Sequence, residues 1–353
     1  MKMLISYLYC NQGGVTSVIK QRMPLLLRTD WVVDTVFNQD NGGKADLIDR
    51  GIRRVEIYAN NFQSNVAKML RSDQYDLHVI FDTPELLSLQ HYYKTKCNFE
   101  IHTSIITTLK KYPVEKLASV NAIIVPSNWL KETVLKLMPS ISDEKICVIP
   151  NLVDPSYFSL DGNRFVLPPT ILWVGKFTDY KNWQEAILVA RLFLKANPTW
   201  NFIMVTGGQP KEGDAAQALT EFIRNDCVLQ FRWLHNLNQI DMGKLYRGVA
   251  NSGGFLLSTS KAESFCLTIH EAMRCGLPVI SSIVGPIPEI IKENVSGLLY
   301  NVGNIHECLE KCNLYLDSDF REAIITEGQK SLAPFDSSVL GDSYLKVLDS
   351  QLN

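Results

Sequence analysis

Two glutamates separated by seven residues, Glu263 and Glu271, lie in the stretch Ser260–Pro278, SKAESFCLTIHEAMRCGLP. An apolar strand-like run ends near Ser258, and Glu263 or Ser264 is placed to cap a helix over Phe265–Arg274. The backbone amides of Ser264, Phe265, Cys266 and Leu267 would then point out of the helix start, an arrangement suited to an anion. Were the span helical throughout, Glu271 would sit roughly 12 Å along the axis from Glu263. That is about the reach from a sugar ring to a ribose, with a diphosphate at the amides between them. The competing reading is a capping acid plus a solvated helical carboxylate, and the spacing alone does not separate the two.

A second block, Thr170–Trp183 (TILWVGKFTDYKNW), sets Gly175 and Lys176 at the end of a buried strand and Lys181 in the following loop. Glycine at a strand's carboxyl end permits close backbone approach, and two ammonium groups can converge on one diphosphate. Two solvated loop lysines are the alternative. Near the amino terminus, Asn11-Gln12-Gly13-Gly14 joins the first strand to the first helix; Gly13 and Gly14 form a tight turn without the full GxGxxG of a dinucleotide fold. His102 closes the strand-like run Asn98–His102, where an imidazole could bond a sugar hydroxyl or serve a structural role.

Other signals point away from metals, nucleic acid and membrane spans. Asp317-Ser318-Asp319 has a metal-binding DxD pattern, yet it falls between helical stretches, and Asp319-x-x-Glu322 looks like a capping arrangement. The eight cysteines include no CxxC pair, and no histidine pair completes a zinc site with Cys308 and Cys312, so free thiols in a reducing cytosol are expected. A formal charge of −2 argues against nucleic acid as the principal partner. The uncharged run Cys275–Pro288 is broken by Gly and Pro and falls short of the ~20 apolar residues of a spanning helix. Met3–Cys10 is too short for a signal-peptide core, so the expected location is cytoplasmic.

With 353 residues, 46% of them hydrophobic, the chain has the size of two α/β domains. Strands are predicted at Leu4–Tyr9, Trp31–Phe37, Arg54–Tyr58, Leu77–Phe81, Asn98–His102, Ala122–Val125 and Ile146–Ile149, interleaved with helices at Val15–Leu27, Phe62–Leu70 and Asn128–Leu137. The pattern lapses over Asp154–Thr170, the expected linker. It restarts with strands at Thr170–Val174, Phe202–Thr206, Val228–Phe231, Gly254–Ser258 and Pro278–Ser282 and helices at Trp183–Leu194, Ala215–Ile223, Ile240–Val249 and Phe265–Arg274. The tail from Ile305 reads as helical. Short β-rich runs joined by helices imply two parallel, doubly wound Rossmann-like domains facing across a cleft, 1–160 and 161–335, with a helix at 336–353 packing back on the first.

These blocks together resemble the retaining glycosyltransferases of family 4, which have the GT-B fold. The resemblance extends to VNAIIVPSNWLKETV (Val120–Val134), KICVIPNLVDPSYF (Lys145–Phe158) and GPIPEIIKENVSGLLY (Gly285–Tyr300). It implies that Lys176 and Lys181 grip a donor diphosphate, that Glu263 bonds donor-sugar hydroxyls and Glu271 the ribose, and that amides from Phe265 to Thr268 line the sugar and phosphates. His102 matches an amino-domain histidine beside the sugar, and Gly13-Gly14 a glycine loop near the donor. Asn182 and Cys266 stand where the family usually has glycine, the second placing a side chain near the sugar. The implied activity is metal-independent, retaining transfer of a hexose from a nucleotide-diphosphate sugar, UDP favoured, with no cofactor. The implied acceptor is a glycan or lipid-linked sugar in polysaccharide or envelope synthesis, with peripheral membrane contact. A GT-B nucleotide-sugar 2-epimerase or a non-catalytic sugar-nucleotide-binding protein are the alternatives.

Overall fold

The first strand, β1 (Lys2–Cys10), is the hub of a seven-stranded parallel sheet in a computed structural model that describes residues 1–92, 95–207, 217, 220 and 228–350. With β2 (Val32–Asp40), β3 (Arg54–Ile57), β4 (Leu77–Phe81), β5 (Lys96–Glu100), β6 (Ala122–Val125) and β7 (Ile146–Val148), the order is β3-β2-β1-β4-β5-β6-β7. Every residue of β4 and of β6 is buried, as expected of parallel strands covered on both faces, and this is why both read as unbroken apolar runs. A second parallel sheet contains β8 (Thr170–Gly175), β9 (Asn201–Thr206), β10 (Phe231–His235), β11 (Phe255–Ser258), β12 (Val279–Ser282) and β13 (Leu298–Tyr300), in the order β10-β9-β8-β11-β12-β13. Strand order therefore reverses between β1 and β4 in one sheet and between β8 and β11 in the other. Doubly wound sheets bind ligands at that switch point, outside the carboxyl ends of the strands.

The chain divides into two units, Met1–Leu152 with Ser337–Asn353, and Val153–Asp336. The stretch expected to be linker, Asp154–Thr170, lies wholly in the second unit, anchored by Val153 and Phe158, which are buried in its core, the Phe158 ring 6.0 Å from that of Tyr246. Proline and glycine removed regular structure from 154–169 without removing its anchorage. In the first unit the helix Ser337–Ser350 places Tyr344 over the Arg22 guanidinium, 4.2 Å from the ring centroid. In the second, one sheet face buries Trp173, Trp183, Phe193 and Phe255 and the other Leu172, Tyr246, Leu256 and Ile269. Each such side chain contributes about 1.5–3 kcal/mol of burial, which gives the loops at the strand ends a rigid base.

Some expectations need correcting. Val228–Gln230 is a 3-10 turn, and the strand follows it, at Phe231–His235. It is an edge strand of its sheet, with only Phe231 buried, which a search for apolar runs passes over. β5 stops at Glu100, so His102 lies beyond the strand rather than closing it. The short β13 and the short helices Lys44–Asp49, Ile106–Leu109, Val114–Ala118 and Ile287–Ile290 were not expected. The predicted helix Ala215–Ile223 lies outside the described residues apart from isolated positions. Among the described residues, no helix is long and apolar enough to cross a membrane.

Candidate functional site

The switch point of the second unit brings the two most informative sequence blocks together. Trp173, buried in β8, donates its indole N–H to Thr259 Oγ1 (3.1 Å), and that hydroxyl reaches the carbonyls of Lys181 (3.1 Å) and Asn182 (2.9 Å). One threonine thus ties the loop after β8 to the end of β11. Gly175 has a packing reason to be glycine: a Cβ there would fall 2.7 Å from the Trp173 ring.

Lys176 follows, half-buried, and its ammonium has no side-chain partner among the described residues. Burial, then the neighbouring Lys181 charge, lowers its pKa from the ordinary lysine value. Lys181 is placed differently. Its Nζ lies 2.6 Å from Glu263 Oε1, which also accepts from Ser260 Oγ at 2.6 Å. Burial opposes its charge, but the Glu263 carboxylate outweighs burial and raises its pKa. Glu263 Oε2 has no partner among the described residues. Lys181 and Glu263, which the resemblance assigned to the diphosphate and to the sugar of a donor, form one pair.

Gly285 supports that pair from behind. Its φ is +51°, and a Cβ there would collide with the Glu263 carbonyl oxygen. The block beginning at Gly285 carried the resemblance, but nothing in the sequence showed that it abuts Glu263.

The helix after β11 runs over Leu267–Arg274, two residues shorter at its start than expected, and neither Glu263 nor Ser264 caps it. Its N-cap is Cys266, with φ 65° and ψ 70° and no capping side-chain bond. The amides of Ser264 and Phe265 therefore belong to the preceding loop. Those of Leu267 and Thr268, in the first turn, lack intrahelical acceptors by construction. Because 263–266 is not helical, the 12 Å ruler between the two glutamates does not apply.

Both positions where the resemblance expects glycine have left-handed backbone: Asn182 at φ 51° and Cys266 at φ 65°. Asparagine tolerates this region, and Asn182 Nδ2 also bonds Glu185 Oε2 at 2.6 Å. The Cys266 thiol is buried in the unit's core, 3.4 Å from Thr268 Oγ1. Burial first, then the Glu263 charge, pushes its pKa up to about 12, so it is not a nucleophile.

Glu271 is buried rather than solvated, and its Oε2 accepts from the Tyr246 hydroxyl at 3.2 Å. The adjacent His270 is fully buried with both ring nitrogens unbonded among the described residues. It stacks on Phe265 (4.3 Å, 4°) and meets Phe335 edge-on (4.6 Å). Asp317, not Asp319, caps the helix Ser318–Ser331: its Oδ1 accepts from the amides of Asp319 (2.9 Å) and Phe320 (3.1 Å). The DxD carboxylate is thereby engaged with backbone.

In the first unit, His102 Nε2 lies 3.0 Å from Glu100 Oε2, and Arg22 Nη1 holds both Glu100 oxygens at 2.6 and 2.7 Å. Burial opposes the Glu100 charge, but Arg22 keeps its pKa below the usual carboxylate value. Gly14 (φ 60°, ψ −133°) starts the helix Val15–Leu26 in backbone geometry that suits only glycine. A Cβ on Gly13 or Gly14 would meet nothing within 4 Å, so the loop faces open space.

Two doubly wound parallel units, each with its loops at a switch point, define the GT-B class of glycosyltransferase fold. Anabaena Alr3699/HepE in complex with UDP-glucose shares it over 99% of this chain and 100% of that one (TM-score 0.84, 18% identity). Residues 162–331 match the family model described as Glycosyl transferases group 1. A human phosphatidylinositol N-acetylglucosaminyltransferase subunit is 33% identical over 217 residues, 61% of this chain and 43% of its own. Sucrose synthase 1 of Hordeum vulgare is 29% identical over 150 residues, 39% of this chain and 19% of its own. The chain spans less than half the length of these two relatives.

Proposed function

We propose that this chain is a retaining, metal-independent glycosyltransferase of family 4. In this reading it moves a hexose from a UDP-glucose-like donor to a hydroxyl of a glycan or glycolipid. The observation that carries it is the Lys176 ammonium, without a side-chain partner among the described residues, on the same switch point as the Lys181–Glu263 pair and the open start of the Leu267–Arg274 helix. Breaking a glycosyl–phosphate bond builds negative charge on the diphosphate and oxocarbenium character on the sugar. Lys176, Lys181 and the Leu267 and Thr268 amides supply fixed positive potential where the first charge grows. A diphosphate gives the half-buried Lys176 the counter-charge it lacks. Glu263 Oε2 is available to a sugar hydroxyl, and Glu271, steadied by Tyr246, is assigned to the ribose. Retention follows if attack and departure share one face of the sugar, the leaving phosphate taking the acceptor's proton.

UDP is favoured because the structural neighbour above binds UDP-glucose. A lipid-borne acceptor, with the chain working at a cytoplasmic membrane face, is favoured by the human relative, whose name specifies a phosphatidylinositol substrate.

Incubation with UDP-glucose and a mixed glycan and glycolipid acceptor pool should give UDP and an α-linked product at a rate that EDTA leaves within about twofold. A larger loss restored by Mn²⁺ would show that the two lysines do not carry the diphosphate charge. Isothermal titration separates the two glutamates. Glu271→Ala should weaken free UDP binding by about tenfold, the worth of a hydrogen bond to a charged group, and Glu263→Ala by much less. The reverse order would mean that the nucleotide and sugar ends have been exchanged.

A further inference from the structure

The switch point of the first unit carries a carboxylate that the proposed function leaves unused. Asp82 directly follows β4 and has a φ of 38°, backbone that non-glycine residues rarely adopt. Its Oδ1 accepts from the His102 amide (3.0 Å), the Thr103 amide (3.3 Å) and the Tyr112 hydroxyl (3.0 Å). Three donors on one oxygen fix the plane of the carboxylate and leave Oδ2 without a partner among the described residues. Asp82 is only half-buried, so that oxygen is not sealed in.

His102 presents a second open atom. Its Nε2 faces the Glu100 carboxylate, which leaves Nδ1 with no partner among the described residues. The Gly13-Gly14 loop follows β1, the strand next to β4, and its backbone is open to solvent. The cation of this network, Arg22, gives its Nη1 to both Glu100 oxygens and is buried, so it is out of a ligand's reach. An open carboxylate oxygen beside a second carboxylate repels phosphate and suits a neutral ligand rich in hydroxyl groups.

We infer that Asp82 Oδ2 binds a hydroxyl group of a saccharide at the switch point of the first unit, next to the His102 that the resemblance already sets beside a sugar. The choice of a saccharide rests on the proposed function; the polarity of the site does not. Burial, opposed by the His102 charge and the three hydrogen bonds, leaves the Asp82 pKa above its ordinary value, which strengthens it as an acceptor.

The saccharide could belong to the donor or to the acceptor, and two measurements on the full chain separate these. The donor measurement is the ratio of UDP-glucose to UDP affinity by isothermal titration. The acceptor measurement is saturation-transfer NMR on free glucose and N-acetylglucosamine, with and without UDP. Asp82→Asn keeps an acceptor for the three donors and turns the open oxygen into an NH₂ donor. It should weaken saccharide binding at least about tenfold in one measurement, with the melting temperature and UDP affinity unchanged. Tyr112→Phe, which removes one of the three donors, should cost only about threefold. If Asp82→Asn does not fold, Asp82→Glu, which keeps the charge and moves the oxygen, should give the same loss. Unchanged affinity in both measurements, or no saccharide binding by the wild type in either, would overturn the assignment. Failure of UDP to bind would remove the proposed function instead, while the free-saccharide measurement still decides the role of Asp82.

Discussion

Lys181→Ala is expected to lower sugar transfer by about two to three orders of magnitude, mainly in kcat, the loss seen when one fixed charge-stabilising donor is removed. The argument starts from the pair it makes with Glu263 at 2.6 Å. Before a ligand arrives, the ammonium is oriented by a carboxylate that is itself held by Ser260, on a residue whose backbone carbonyl Gly285 approaches closely. A group held in this way needs little reorganisation as the diphosphate gains charge. The same geometry predicts a stability cost, because alanine strands a buried carboxylate; breaking one side of such a pair costs on the order of 3 kcal/mol. Loss of activity and loss of stability can therefore be confused, and a double variant separates them. Lys181→Ala with Glu263→Gln removes the stranded charge, so its urea midpoint at pH 7 should recover towards that of the wild type while transfer stays low. Recovery of both would reduce Lys181 to a structural counter-ion. Near-normal transfer by Lys181→Ala alone would end the charge-stabilisation argument.

The parts of the fold legible in the sequence are those decided locally. Leu77–Phe81 and Ala122–Val125 have the predicted bounds because each is an apolar run between breakers, buried on both faces. Lys176 could be found because it follows directly on a strand and Glu263 because it lies in the loop after one, positions that doubly wound topology turns into proximity. What could not be read depends on contacts distant in sequence. Phe265 matches the helical period of Ile269 and Ala272, yet it precedes the helix, its ring packed against His270 from outside. The 2.6 Å pairing of Lys181 with Glu263 joins residues 82 apart in the chain. Gly285 looked like part of an unspecific block until its missing side chain proved to make room for Glu263. Asp82 gave no signal, since a lone acid after a strand is ordinary; its left-handed backbone and three converging donors exist only in the folded chain.

His270→Phe should make the protein more resistant to acid. The imidazole is buried between Phe265 and Phe335 with neither nitrogen bonded among the described residues, and burial first, then the nearby Arg274 charge, lowers its pKa to about 3. Glu271 is its neighbour on the same helix, and Asp336 offsets Arg274 from the element beyond Phe335. The sign is fixed by linkage: with a folded value below the unfolded one, the unfolded chain binds the extra proton. The contribution of His270 to stability is therefore complete above about pH 6.5 and is lost progressively as pH falls towards 3. At pH 5 the loss from this residue is about 2 kcal/mol. His78, also lowered to about 3 by burial, adds a similar loss, although its Nε2 is bonded to Ser6 Oγ at 2.8 Å. Phenylalanine keeps the ring plate at 270 and removes both unbonded nitrogens and the proton site. In paired urea melts, the wild type should lose stability between pH 7 and pH 5 and the variant about half as much, with the two closest at pH 7. Equal losses would mean that His270 finds a hydrogen-bond partner in solution, or that acid opens the 263–266 loop without unfolding the rest. Saccharide affinity at pH 5 tells these apart, because only an opened loop would release Glu263 from Lys181.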